Sequence, residues 1–543
     1  MDIKGTLYYG DNLEVLRKHI SSESVDLIYL DPPFNSNATY NVLFKSPKTG
    51  DDAYSQIQAF NDTWHWGEND AQAVDEIMRS NYTNLANLIQ ALRKFLGEND
   101  MMAYLVMMAI RLIELHKVLK PTGSLYLHCD PTASHYLKLI LDAVFGYENF
   151  RNEVIWLKSR VDKAQSKHFS KAHDVIFFYS KSNNYTFNRL IGEKSESYID
   201  SHYNQIEEQT GRRYRLVSLS QDGAGAPRSF GEHGVIAPPI GKHWKWSQER
   251  IDSALSDGLI VFTKLGIPRH KYYLEDYKGK GFGTIWTDIT PLNAVAKERL
   301  GFPTQKPVAL LERIIQASTN EGDTVLDPFC GCGTAVHAAQ KLGRNWIGID
   351  ITHLAISLIE KRMKDAFPDA RFEVIGSPKD LEGAQDLAIR DKYQFQWWAV
   401  SLVGAHPHQE KKKGADTGID GLIYFLDDED GEYKKIVVSV KGGDNVGVSM
   451  IRDLAGTMER EKAAMGFFIT LTEPTAPMIK EAASKDSYIS PLTKELYPRI
   501  QILTIKGLLD GTERPRYPDL GLGLNMFKKA KAERTEKETG KLF

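Results

Sequence analysis

The chain has 543 residues, 42% hydrophobic and 26% charged, ordinary values for a globular protein of two or three domains. Its 68 lysines and arginines against 71 aspartates and glutamates leave a formal net charge of −3, so any nucleic-acid contact must use local positive patches rather than an overall field. Three cysteines exclude a disulfide framework and fit a reducing cytoplasm; no apolar run reaches membrane-span length, and the first residues lack a signal-peptide pattern.

Apolar and β-branched runs over 3–9 and 25–30 predict the first strands. Gly10-Asp11-Asn12 follows the first and Asp31-Pro32-Pro33-Phe34 the second. In the latter, the prolines stiffen the loop and offer no competing N–H. A carboxylate and the carbonyl of Pro32 can accept both hydrogens of an amino group, while Phe34 offers an apolar face to a flat ring. The same residues would also serve as a plain rigid turn. The polar stretch 35–66 is expected to form a loop over this turn. A helix is predicted over 102–119, ending before Pro121 and Gly123, then strands over 124–128, 154–157 and 175–179.

Cations then recur beside aromatics. Trp156, Lys158 and Arg160 are followed by Lys163, Lys167, His168 and Lys171; farther on come Arg212-Arg213-Tyr214-Arg215, Lys242-His243-Trp244-Lys245-Trp246 and Lys271-Tyr272-Tyr273. Such clusters suit phosphate contact with base stacking. Each taken alone reads more simply as a solvated charged face over a small aromatic core, but taken together they favour nucleic-acid contact.

Thr304-Gln305-Lys306-Pro307 opens a helix over 308–318. A strand over 325–326 then runs into Asp327-Pro328-Phe329-Cys330-Gly331-Cys332-Gly333-Thr334. A helical pattern over 335–342 and a strand over 346–349 follow, ending in Asp350. The glycines let backbone approach a ligand closely, and the new helix presents unpaired N–H groups. Strand, glycine turn, helix, strand and terminal acid form the Rossmann-like cradle for a nucleoside, with the acid on the ribose hydroxyls. The spacing is not that of a dinucleotide fingerprint, and no P-loop is present. Cys330 and Cys332 have a poor zinc spacing and read as small residues of the turn. The fold class is therefore α/β, a mixed, mostly parallel sheet with helices on both faces. Asp11, Asp31, Asp327 and Asp350 can converge at its carboxyl edge.

In this order the motifs resemble those of the permuted, beta-class S-adenosyl-methionine-dependent DNA amino-methyltransferases, from the N-terminus to about residue 380. In that family D-P-P-[FY] precedes D-P-F-x-G-x-G, with a target-recognition region between them. The resemblance implies that Asp31, Pro32, Pro33 and Phe34 are catalytic, acting on a base flipped out of double-stranded DNA. It implies a cofactor site built from Asp11, on the cofactor's adenine amino group, with Asp327, Phe329, Gly331, Gly333, Thr334 and Asp350. Thr304 and Lys306 would close over its methionine end. D-P-P-[FY] goes more often with adenine N6 and S-P-P-Y with cytosine N4, so adenine is expected and cytosine is the alternative. No proline precedes a cysteine, which excludes a C5 nucleophile. A homodimer is allowed for; a membrane partner is not expected.

After Gln394-Phe395-Gln396-Trp397-Trp398 the sequence changes character. From Lys411 a new unit begins, with strands over 422–425 and 435–441, a charged turn over 427–432, a helix over 450–462 and a strand over 466–470. With Asp420 before the first strand and Lys441 ending the second, it resembles the Mrr-type restriction endonuclease domain of the PD-(D/E)xK fold. That resemblance implies Mg²⁺ on Asp420 and water activation by Lys441. Ser439 stands where the family has its second acid or Gln, and Glu459 or Glu461 could supply the missing oxygen. Two expectations follow: an active nuclease fused to the transferase, or an inactive DNA-binding or accessory domain. The expected organisation is a catalytic half (1–184), a target-recognition region (185–300), a cofactor half (301–390), a nuclease-like domain (391–515) and a charged, frayed tail (516–543).

Overall fold

A computed structural model of the chain describes residues 4–33, 39–45, 54–61, 66–158, 167, 169, 171–192, 196–277, 279–293, 296, 298–300, 302, 304–408, 418–427, 433–518 and 532–533. Phe34, Arg160, Lys163, His168, the 411–417 run, the turn at 428–432 and most of the charged tail lie outside the described residues.

A nine-stranded sheet organises the first large region. Its spatial order is Ile285–Trp286, Phe150–Leu157, His173–Ser180, Leu119–Cys129, Val25–Leu30, Thr324–Asp327, Asn345–Asp350, Gly5–Tyr9 and Phe372–Ile375. The His173–Ser180 strand runs antiparallel to both neighbours. The remaining pairs are parallel. Alternation along Val25–Leu30 sends Leu27 and Tyr29 into one hydrophobic cluster and Ile28 and Leu30 into the other, so helices cover both faces. The first face takes the helices Val308–Ser318 and Thr334–Lys341; the second takes Asp100–Val118, capped by Asn99 on the Met102 amide.

Three details depart from the expected elements. The strand after the Asp100–Val118 helix begins at once, at Leu119, and contains Pro121. The ladder is interrupted between the Val25–Leu119 and Leu27–Ser124 pairs, so the missing proline N–H breaks no bond. The sheet also gains two strands at its edges, Ile285–Trp286 and Phe372–Ile375, too short or too polar to stand out as periodic runs. Within the expected loop 35–66, Thr39–Lys45 and Tyr54–Asn61 pair as an antiparallel hairpin, in keeping with their Tyr, Val, Phe and Ile content.

Residues 189–283 form a compact unit of their own. A four-stranded antiparallel sheet, in the order Ile260–Phe262, Pro268–Tyr273, Arg213–Ser218 and Gln205–Ile206, is joined by short two-stranded ribbons and the helix Gln248–Ser256. Leu219, Phe230, Trp244, Ile251, Ala254 and Ile260 fill its core.

The C-terminal region carries a five-stranded sheet: His406–Pro407, Gly421–Leu426, Tyr433–Lys441, Met465–Thr470 and Ile500–Thr504. The helix Val448–Arg460 connects two of its parallel strands, in the order the sequence implied. This sheet shares one hydrophobic cluster with the first face of the large sheet, through Phe395, Trp398 and Ala399 on the helix Lys392–Leu402. Phe395 packs so closely on Gly442 that a Cβ there would lie 2.7 Å from the ring. Gln394 Oε1 accepts the His353 amide at 3.0 Å.

Phe395→Ala should remove about 3–5 kcal/mol of stability, because a large buried ring leaves a cavity its neighbours cannot fill. Urea unfolding followed by both far-ultraviolet and tryptophan signals should show the loss in both sheets together. His353 gives a pH test. Its ring lies against Tyr9, tilted by 37° with centroids 4.2 Å apart, and Nε2 has no hydrogen-bond partner among the described residues. Burial pushes its pKa down from 6.5 to about 3. Between those values the unfolded chain binds a proton that the native chain refuses, so stability should fall with falling pH by up to about 1.4 kcal/mol per unit. In His353→Phe that decline should be measurably shallower.

Candidate cofactor and catalytic site

The sheet register decides where the acids meet. Tyr9 pairs with Asp350, Asp327 with Gly348, and Leu326 with Ile28, so the segments carrying Asp11, Asp31, Asp327 and Asp350 leave the sheet at one edge. There they border a cavity of about 300 Å³. Asp31, Pro32 and Pro33 line it, as do Asp11, Thr304, Lys306, Asp327, Phe329, Gly331, Thr334 and Asp350. Gly333 does not. It sits at φ +72° as the N-cap of Thr334–Lys341, and a Cβ there would lie 2.8 Å from Ile359.

Each acid is held differently. Asp31 Oδ2 accepts Lys306 Nζ at 2.5 Å, and the same ammonium donates to the Thr304 carbonyl at 3.1 Å. Thr304 adopts φ +61°, strained for a β-branched residue, and this bend helps bring Lys306 back to the Asp31-Pro32-Pro33 turn. Asp11 caps the helix Asn12–His19, its Oδ1 taking the amides of Leu13 and Glu14, while Oδ2 accepts Arg111 Nη2 at 2.7 Å. Asp350 accepts the Gly331 amide at 2.8 Å and both the amide and hydroxyl of Thr352. Burial nevertheless raises its pKa. Asp327 takes the Phe329 amide at 3.1 Å. Burial pushes its carboxyl well above the usual range, and the charges of Asp31 and Asp350 add to that.

Several contributors carried no signal in the sequence. Arg111, on the helix Asp100–Val118, joins Asp11 to Asn12, and Asn12 Nδ2 in turn donates to the Pro328 carbonyl at 2.8 Å. This clamps the first strand's exit to the glycine turn. Arg362 lies buried beneath that turn, donating to the Cys332 carbonyl at 2.9 Å and the Thr334 hydroxyl at 3.2 Å. Burial raises the thiols of Cys330 and Cys332, and all three cysteines are free and buried, as expected of small packing residues.

The structure also sorts the basic and aromatic clusters. Trp156 is a core residue of the large sheet, with Nε1 on the Ile289 carbonyl, and Trp244 is a core residue of the 189–283 unit. Arg212 pairs with Glu275, Arg213 with Asp200 and Lys271 with Glu207. Those side chains form ion pairs within the 189–283 unit.

In the C-terminal sheet, Asp420 and Lys441 sit at the same end of the Gly421–Leu426/Tyr433–Lys441 hairpin. Asp420 Oδ2 accepts the Val440 amide at 2.7 Å, and Ser439 is only 5% exposed. Glu461 pairs with Lys435, and Glu459 is exposed on its helix. Among the described residues no group of three or more His, Cys, Asp or Glu is placed to hold a metal ion, and no helix is long and apolar enough to cross a membrane.

Comparison with known proteins places this geometry in a family. Residues 393–510 match a family described as a NACHT-associated inactive restriction endonuclease. The type II methyltransferase M.EcaI of Enterobacter cloacae is 34% identical over 260 residues, covering 48% of this chain and 57% of that protein. The Mod subunit of the type III restriction-modification enzyme StyLTI of Salmonella typhimurium LT2 is 28% identical over 348 residues, 61% of this chain and 49% of that protein. The chain thus spans about half the length of these two relatives. The DNA adenine methyltransferase YhdJ of Escherichia coli K12 is 24% identical over 359 residues, covering 66% of this chain and 82% of that protein. Residues 25–361, more than half of the chain, match the family described as DNA methylase, and the chain belongs to that family.

Proposed function

We propose that this protein methylates the N6 amino group of adenine at specific sites in double-stranded DNA, using S-adenosyl-methionine. The observation that carries the reading is the cavity itself: the D-P-P turn and the D-P-F-C-G-C-G turn border one space, with Lys306 bridging to Asp31. The lining suits the cofactor. Carboxylates face a cationic sulfonium and ribose hydroxyls well, and Gly331, at φ +52° with a Cβ position 3.3 Å from Phe302, keeps the turn close. The cofactor when bound supplies an electrophilic methyl group.

The chain's own residues do the positioning. Lys306 engages Asp31 Oδ2 and fixes the carboxylate, so Oδ1 can accept one N–H of the target amino group while the Pro32 carbonyl accepts the other. Those two bonds draw the nitrogen lone pair out of conjugation. Phe34 supplies the stacking face for the flipped base. Asp350 holds ribose hydroxyls, Asp11 the cofactor's adenine amino group, and Thr304, with the 304–307 segment, closes the methionine end. Asp327, Phe329, Gly333 and Thr334 shape the turn. The unit 189–283 within the 185–300 region reads the target sequence. Adenine is favoured by Asp31 at the head of the catalytic turn and by the adenine specificity named for YhdJ.

The C-terminal sheet keeps the restriction-endonuclease topology without its metal chemistry. Ser439 in place of the second acid and an Asp420 carboxylate turned onto the Val440 amide support a non-cleaving accessory domain, as does the match to an inactive endonuclease family.

Asp31→Ala should lower transfer of labelled methyl groups to DNA by at least about a thousandfold while S-adenosyl-homocysteine binding, read by calorimetry, stays within threefold. Methylation-aware sequencing of DNA from cells expressing the chain should show N6-methyladenine within one short sequence; retained methylation in Asp31→Ala, or N4-methylcytosine, would overturn the assignment. Purified chain with Mg²⁺ should leave unmethylated genomic DNA uncut, and Lys441→Ala should behave identically. Cleavage lost in that variant would restore the nuclease.

A further inference from the structure

Tyr29 lines the cavity two residues before Asp31. From its hydroxyl an unbroken polar chain crosses neighbouring strands: Tyr29 Oη lies 2.9 Å from His128 Nδ1, His128 Nε2 lies 3.1 Å from Asp174 Oδ2, and Lys158 Nζ lies 2.5 Å from Asp174 Oδ1. Tyr29 is 2% exposed, His128 0% and Asp174 2%, while the Lys158 side chain, at 33%, reaches the surface. The surroundings are apolar. Tyr126 and Phe178 stack at 4.5 Å, Trp156 sets its edge against His128 at 5.8 Å, and Ile176 is fully buried. A buried charge pair is generally no better for stability than well-packed apolar residues, so its presence beside a reactive cavity asks for a chemical reason.

The directions of the bonds supply one. The Asp174 carboxylate only accepts, and although burial opposes its ionisation, hydrogen bonds from His128 and Lys158 hold its pKa at about 2. His128 Nε2–H therefore donates to Asp174, which leaves Nδ1 to accept the Tyr29 O–H. The Tyr29 and His128 donors thus point away from the cavity and converge with Lys158 on Asp174, and Tyr29 can turn its oxygen lone pairs toward the cavity.

We propose that Tyr29 and His128 take up the proton released by methyl transfer, with Asp174 and Lys158 as positioning residues. This rests on the methyltransferase reading. An amino nitrogen that gains a methyl group becomes cationic and must lose one hydrogen, while Asp31 is engaged by Lys306. As the methylated nitrogen becomes tetrahedral, the N–H that the Pro32 carbonyl held is released; that N–H bond breaks as an O–H bond forms at Tyr29, and the original Tyr29 O–H breaks as an N–H bond forms at His128 Nδ1. The imidazolium stands against the Asp174 carboxylate until the product leaves, and the proton then returns by the same bonds to water entering the crevice.

The full chain, amplified unmethylated bacterial genomic DNA and tritiated S-adenosyl-methionine provide the test. Tyr29→Phe and Asp174→Asn should each lower kcat at least tenfold, leave both KM values within twofold, and keep S-adenosyl-homocysteine binding. Phe178→Leu, a packing change in the same cluster, should lower the thermal midpoint and keep kcat. Nitrogen-15 histidine spectra of the unaltered chain should show His128 as the Nε2–H tautomer, a readout that survives even if a variant fails to fold. Tyr29→Phe at the unaltered kcat, parallel loss in Phe178→Leu, or the opposite tautomer would overturn the relay. An unaltered chain that transfers no methyl group to any DNA would overturn the methyltransferase reading, and the relay with it.

Discussion

Four carboxylates emerge at one edge of a parallel sheet, and the architecture of the first region is the means of holding them there. Like charges so close raise one another's free energy in a partly dry cavity, and each needs a donor brought from elsewhere. Lys306 reaches Asp31 from 275 positions away in sequence, and Arg111 reaches Asp11 from a helix 100 positions away. Asp350 is secured by local amides and a hydroxyl of its own turn. Asp327, buried beneath the others with the Phe329 amide, is the acid whose ionisation the site most strongly opposes.

This arrangement ties folding to chemistry. The cations that make the acidic edge tolerable are the same groups that orient it: Lys306 holds Asp31 Oδ2, and Arg111 holds Asn12, whose side-chain amide donates to the Pro328 carbonyl and ties the first strand's exit to the glycine turn. Arg362 braces the underside of that turn, binding the Cys332 carbonyl next to the left-handed Gly333. The site is thus braced on both sides by charged groups that solvent barely reaches.

The C-terminal sheet contributes by packing. Phe395 and Trp398 merge its core with that of the helix His353–Ala366, which starts just after Asp350 and carries Arg362 on its inner face. The C-terminal sheet is joined to the preceding region through buried hydrophobic contact, and within its hairpin Asp420 accepts the Val440 amide. Such a join is far more rigid than a linker, since separating the two would expose large aromatic side chains to water.

Local chemistry alone made much of this legible. Strand runs ending in acids, the two prolines after Asp31 and the glycine spacing after Asp327 follow from backbone sterics and hydrogen bonding within a few residues, so they are readable along the chain. The same holds for Ser439, whose lack of a carboxylate is evident from its identity. What only the tertiary structure decided is pairing across distance: Lys306 on Asp31, Arg111 on Asp11, Arg362 under the glycine turn, and the Tyr29–His128–Asp174–Lys158 chain. It also showed that Trp156 and Trp244 are core residues and that several apparently basic patches are ion-paired. A charged or aromatic side chain has the same letter whether it faces solvent, a neighbour or a ligand, and sheet register, a property of strands far apart in sequence, chooses among them.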